Sequence, residues 1–418
     1  MKSGQTGRLW TRNFTVITLG TLVSAIGSAA MGLALTLVVF DQTASTWLSG
    51  VYGAVSILPG VTLPFFLAPA VDRHNRKHII VGLDTASGVL YLLFLAYIRR
   101  AGFQYAAYLL FSRVMGCIGA VYSLAYESLY PDLIPTGMEQ KGYAVSSMIY
   151  PLTTTLVTPV AAVIYKAWGV EMIFLTEGCL LLVAAAFEAG IVWRPAPVAP
   201  APRETGRLRA YGHELLEGVR YLKRERGIRS IYGYMAVTNA ASNGNYLMVM
   251  AHFQSMPGLG AARYSLLVSA ETVGRALGAA VHYVFRIPEA RRYWLTVRVY
   301  AIYELFDGVL LFVAWPVMLV LRFLCGFLGV NTATLREAAV QRYLPQELRA
   351  RVNGLFDVLL SAACVLIQLA VGALGELLPY RFVTLGFAVL AFGCMLWLIA
   401  GRRRSVEPIY NFHVEQNP

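Results

Sequence analysis

The segment Ser269-Ala-Glu271-Thr-Val-Gly274-Arg275-Ala-Leu-Gly278 sets an acid and a base four residues apart within an apolar run. On a helix that spacing stacks the two side chains one turn apart, with the acid on the favourable N-terminal side. His282, eleven residues beyond Glu271, falls on the same face. A carboxylate beside a guanidinium in an apolar setting feels two opposed influences: burial favours its neutral form, the cation its charged form. Glu271 and Arg275 are therefore assigned as the proton-coupling pair, Glu271 exchanging the proton and Arg275 setting its hold. A static ion pair that fixes helix register is the open alternative. Gly274 and Gly278 add a stripe of small residues suited to close helix packing.

Two further arginines, Arg113 and Arg322, interrupt apolar runs about half the chain apart, in segments that say nearly the same thing. Phe111-Ser-Arg113-Val-Met-Gly116-Cys-Ile-Gly119 matches Val320-Leu-Arg322-Phe-Leu-Cys-Gly326-Phe-Leu-Gly329, and each copy is followed by a glutamate (Glu127, Glu337) and a proline loop. Intramembrane charge is expensive and is kept mainly where it works. Each arginine either binds an anionic substrate group or pairs with an acid on a neighbouring helix. Asn239, Asn243, Tyr150 and Thr154 complete the substrate-cavity candidates; such groups also serve as interhelical hydrogen bonds. None of this is a catalytic constellation. There is no Walker-type lysine loop, no nucleophile elbow, and no C-x-x-C pair among the five cysteines. No catalytic residue, metal or cofactor is expected, a proton gradient being the energy source.

The elements that must position these residues are membrane helices. The chain of 418 residues is 57% hydrophobic and only 14% charged, and apolar stretches long enough to span a bilayer recur along its length. We read an all-α membrane protein of twelve transmembrane helices in two pseudo-symmetric six-helix bundles. The N-terminal bundle occupies 1–193, a linker 194–228, the C-terminal bundle 229–400, and a tail 401–418. The linker opens with the stiff spacer Pro195-Ala-Pro197-Val-Ala-Pro200-Ala-Pro202 and continues as an amphipathic helix. With the N-terminus inside, the outer loops hold only Arg99, Arg100, Lys166, Arg263 and Arg381, and all the other loop lysines and arginines face the cytoplasm. That asymmetry places both termini in the cytoplasm of a cell (plasma or inner) membrane. It also explains the net charge of +12 through anionic lipid, without nucleic acid.

The loop Ala68-Pro-Ala-Val71-Asp72-Arg73-His-Asn-Arg76-Lys77 brings an acid and several cations to a tight cytoplasmic turn. Such a cluster can latch the inner helix ends in one conformation and release them in another. We assign the latch to Asp72, Arg73, Arg76 and Glu127. The loop resembles the signature of the major facilitator superfamily, D-R-x-x-R-R/K, with Ala68 where a glycine is usual. Arg113 with Gly119 resembles the family's fourth-span motif. Thr158-Pro159-Val-Ala161-Ala162 resembles an exporter motif with alanines in place of glycines. The loops Pro131-Asp-Leu-Ile-Pro135 and Tyr343-Leu-Pro345-Gln-Glu-Leu-Arg349 are similar to those of the enterobactin and macrolide exporter branch.

The resemblance implies a monomeric secondary transporter that binds substrate near the midplane and alternates access. It implies proton-coupled efflux of a small amphipathic compound such as a drug, siderophore or metabolite. A lipid or lysolipid flippase, an uptake symporter, and a transport-dead sensor or scaffold are the alternatives. It also implies that the ninth span supports the bundle from outside, so Glu304 and Asp307 are expected at a structural or lipid-facing edge with Arg298. Glu271 is expected to be the main acid in a cavity-lining helix, since the first span carries none between Gly20 and Phe40.

Overall fold

The computed structural model describes residues 9–135, 138–193, 218–284 and 287–411. Among the described residues there are long helices and no strand. In chain order these are α1 (Arg12–Thr43), α2 (Thr46–Arg73), α3 (Arg76–Ala101), α4 (Tyr105–Leu133), α5 (139–168) and α6 (170–189). They continue as α7 (Arg226–Ser255), α8 (Gly260–Val284), α9 (Glu289–Val309), α10 (Trp315–Tyr343), α11 (Gln346–Leu377) and α12 (Tyr380–Cys394), with a short α13 (Arg403–Tyr410). Among the described residues, α1 to α12 fall at the places of the twelve expected spans.

Local chemistry sets the boundaries. Thr11 caps α1 by accepting from the Phe14 amide, and Asn75 caps α3 by accepting from the His78 amide. Pro288, Pro345 and Pro379 stand immediately before α9, α11 and α12, where a missing N–H costs nothing. The break between α5 and α6 lies at Gly169, whose φ of 72° lies in the left-handed region that a side chain resists.

Eight helical segments, with α5 and α6 taken as one, are long and apolar enough to cross a membrane. The other three long helices, α7, α8 and α9, carry the asparagines, Glu271 with Arg275, and Glu304 with Asp307. Much of that polar chemistry turns inward: Asn245, Glu271, Glu304 and Asp307 are all buried. Leu110, Leu156, Leu366 and Trp397 stay largely exposed, as a surface bathed in acyl chains requires.

Two compact units divide the chain: Met1–Ala44 with Val55–Ala201, and Ser45–Ala54 with Pro202–Pro418. The first turns of α2 count with the second unit, where the Thr46 hydroxyl donates to the Gly372 carbonyl at 2.8 Å. In the first unit α1 packs along α5 and α6, and α3 packs on α6. Its inner core gathers Phe14, Ile17, Ile80, Leu129 and Tyr130. In the second unit α8 packs on α10 and α7 on α11, above a core of Ile228, Ile231, Tyr234, Tyr293, Met395 and Tyr410.

Candidate functional site

The second unit is organised around a buried ion network. Arg322 on α10 is 2% exposed. Its Nε lies 2.8 Å from Glu271 Oε2 on α8, and its Nη1 lies 2.7 Å from Asp307 Oδ1 on α9. Arg275 holds the other oxygen of Glu271 from one turn along α8. The Tyr246 hydroxyl donates to Glu271 Oε2 at 2.5 Å, and the Asn245 amide donates to Asp307 Oδ2 at 2.6 Å. The Arg322 guanidinium also sits 4.4 Å above the Tyr246 ring. Two carboxylates thus face two guanidiniums, and the charges balance without a proton. Desolvating such groups is expensive, and only good geometry with added hydrogen bonds offsets it.

Close helix approach makes the network possible. A Cβ on Gly326 would lie 2.0 Å from the Glu271 carbonyl oxygen, and one on Gly274 would lie 2.1 Å from that of Phe323. Only glycine lets α8 and α10 meet there, which is the role the small-residue stripe suggests.

A cavity of about 350 Å³ adjoins the network, lined by Asn239, Ser242, Glu271, Arg275, Tyr303 and Arg336 among others. Arg275 is exposed and Arg336 half-buried along it, whereas Arg322 is buried. Asn239 lines the cavity and donates back to the Met235 carbonyl at 2.8 Å. Asn243 is exposed and donates to the Asn239 carbonyl at 2.9 Å. The ninth helix corrects an expectation. Glu304 and Asp307 are buried rather than lipid-facing, and Glu304 accepts from Thr238 at 2.6 Å and Tyr234 at 3.0 Å. Arg298 is exposed on the same helix and takes no part in the network, because it lies more than two turns from Asp307.

The first unit holds chemistry that the sequence reading missed. Asp84 on α3 and Glu177 and Glu188 on α6 are all buried. Each has a carboxylate oxygen with no hydrogen-bond partner among the described residues: Asp84 Oδ2, Glu177 Oε2 and Glu188 Oε2. Tyr122 donates to the other oxygen of Glu188 at 3.0 Å. A cavity of about 540 Å³ runs past Asp84 and Glu177, walled by Tyr91, Tyr122, Tyr126 and Tyr150. Of the cavity candidates, Tyr150 lines this space. Arg113 is exposed on α4, and Thr154 is half-buried on α5; neither lines either cavity. The matched arginines of the repeat therefore occupy unlike surroundings.

The latch is described in part. The side chains of Asp72 and Arg73, like that of His282, lie outside the described residues. Arg76 donates to the Ser128 carbonyl at 3.0 Å and lies 3.5 Å from Asp132 Oδ2. That pair is partly exposed, so it contributes about 1 kcal/mol at most. Glu127 accepts from Ser123 at 3.1 Å and faces the first unit's cavity.

The sequence matches the Major Facilitator Superfamily over residues 17–303. Macrolide efflux protein A of Streptococcus pyogenes is 25% identical over 226 residues, covering 52% of this chain and 53% of that protein. The chain thus spans about half the length of the curated relative it matches. Among solved structures, the nucleoside transporter NupG aligns with a TM-score of 0.66 at 14% identity, covering 92% of this chain and 98% of that one. A bacterial homologue of the iron transporter ferroportin, in an inward-facing state, aligns at 0.69 and 15% identity, covering 94% and 100%. A peptide transporter bound to alafosfalin aligns at 0.69 and 11% identity, covering 97% and 96%. At these identities the likeness establishes the fold alone.

Proposed function

This chain belongs to the Major Facilitator Superfamily and is a multi-pass membrane transporter rather than an enzyme; from that membership we propose that it exports a small amphipathic compound in exchange for protons. The observation that carries this reading is the first unit's cavity, where carboxylates share walls with tyrosine rings and, among the described residues, with no lysine or arginine. Mostly apolar walls with a few convergent polar groups suit a drug-sized ligand, and coupling needs a group that gains and loses a proton. The partial match to a macrolide efflux protein supports export as the direction and a macrolide-like amphiphile as the substrate class. In this reading the protein works as a monomer in the cell membrane, with lipid and substrate as its partners. Glu271 and Arg275, the expected coupling pair, belong to a charge-balanced network, which favours the structural alternative for them.

Cells expressing the chain are expected to accumulate several-fold less radiolabelled macrolide than control cells, with the difference abolished by a protonophore. Equal accumulation for macrolides, siderophores and lysolipids alike counts against export.

The orientation has its own test. In a background lacking the five native cysteines, Met256→Cys on the α7–α8 loop is expected to label from outside intact cells. Gly206→Cys in the linker is expected to label only after permeabilisation, because cationic loops stay on the cytoplasmic side. Labelling of Gly206→Cys in intact cells reverses the topology.

A further inference from the structure

The two units differ in charge balance. In the second, Glu271 and Asp307 are matched by Arg275 and Arg322, and both Tyr234 and Thr238 donate to the buried Glu304. In the first, Asp84, Glu177 and Glu188 are as deeply buried, yet among the described residues no lysine or arginine lines their cavity. Burying three carboxylates with no cation is prohibitively costly unless protons or a bound cation neutralise them.

The chain makes room for these acids. A Cβ on Gly27 of α1 would fall 1.6 Å from Glu177 Oε2, and one on Gly20 would fall 3.0 Å from Glu188 Cγ. Gly20 and Gly27 are two turns apart, so one face of α1 is cut away opposite both glutamates. Asp84 lies within electrostatic reach of Glu177 and of Glu188, so charge on Asp84 affects both glutamates.

The polar groups facing the cluster are neutral or acidic. From α1 come the hydroxyls of Ser24 and Ser28, from α3 Ser87 and Tyr91, from α4 Tyr122, Ser123, Tyr126 and Glu127, and from α5 Tyr150. Phenols and hydroxyls can solvate a cation, and tyrosine faces attract one. None of these groups supplies positive charge.

We propose that Asp84, Glu177 and Glu188 form a cation-exchange site, holding protons when empty and the cationic amine of an amphipathic substrate when occupied. This deepens the export reading and rests on it for the substrate's direction of travel, but the site itself is tested by binding alone. Asp84 and Glu177 contact the ligand in the cavity. Glu188, joined to the cavity wall through Tyr122, stores charge one step away. Binding of one cation releases at least one proton, so affinity rises with pH.

The test uses the purified full chain in nanodiscs, with tetraphenylphosphonium as the probe because it is cationic at every pH. Binding is expected to be at least ten-fold tighter at pH 8 than at pH 5.5. Calorimetry in buffers of different ionisation enthalpy is expected to show proton release. Asp84→Asn and Glu177→Gln should each weaken binding about ten-fold and flatten its pH dependence. They should melt no lower than the parent, because each removes a carboxylate and strands no cation. Tight but pH-independent binding, or pH-dependent binding untouched by both substitutions, overturns the proposal. If a variant does not fold, proton release by the parent still decides, and its absence also overturns the proposal. Export failing in cells while this binding persists would reject the transport direction and leave the site standing.

Discussion

Arg322→Met is expected to abolish most folded protein, the largest single-residue loss in the chain. The substitution leaves Glu271 and Asp307, each about 2% exposed, without their shared cation. Removing one partner from a buried ion pair costs about 3–5 kcal/mol, and here one arginine serves two acids. Arg322→Lys should recover only part of the loss, since a point charge cannot reach two carboxylates through a planar fork. The triple variant Glu271→Gln/Asp307→Asn/Arg322→Met should fold better than Arg322→Met, because it buries no unpaired carboxylate and the one charge it leaves, on Arg275, sits on a side chain that is 56% exposed. Fluorescence-detected size exclusion and thermal melting in detergent measure all three. Wild-type melting of Arg322→Met would show that the network is not what holds α8, α9 and α10 together.

The second large effect is expected at Gly326. Its added Cβ in Gly326→Ala must displace the Glu271 carbonyl from 2.0 Å, and a main-chain atom of a packed helix cannot yield alone. Overpacking costs about 1–3 kcal/mol. The forced separation of α8 and α10 also stretches the 2.8 Å contact between Glu271 and Arg322. The melting temperature should fall by several degrees. Combining Gly326→Ala with Gly274→Ala should cost less than the sum, since both wedge the same crossing. Gly82→Ala on α3 is the control: its Cβ meets nothing within 4 Å, so only helix propensity changes, in alanine's favour. Equal melting of Gly326→Ala and Gly82→Ala contradicts the close-approach argument.

Much of this architecture is legible in the residues because bilayer physics leaves few options. Apolar runs such as Gly20–Phe40 and Val352–Val371 must be helices, since no other open structure satisfies its backbone in lipid. The Glu271–Arg275 contact is also legible, being set by a helical repeat of one turn. The partners of Arg322 are not. Asp307 and Glu271 reach it from separate helices, and spacing along the chain carries no information about such meetings. The same holds for Asn245 and Asp307. The burial of Glu304 and Asp307 depends on which face α9 presents inward, which mixed polar and apolar positions leave ambiguous. Asp84, Glu177 and Glu188 could have been flagged as uncompensated acids inside apolar runs. Gly20 and Gly27, two turns apart on a span with no acid, were a second sign that something bulky packs there.

The central claim, export of an amphiphile driven by inward protons, is tested most directly in proteoliposomes. The purified chain is reconstituted with a pH-sensitive dye in an acidic lumen, and labelled macrolide is added outside at neutral pH. Protein-free liposomes set the baseline, because a weak base accumulates in an acid lumen unaided. Exchange predicts macrolide uptake above that baseline, faster alkalinisation of the lumen on macrolide addition, and loss of both when the gradient is collapsed. Uptake and lumen pH indistinguishable from protein-free liposomes, or lumen acidification by co-entry of protons under a reversed gradient, would contradict it.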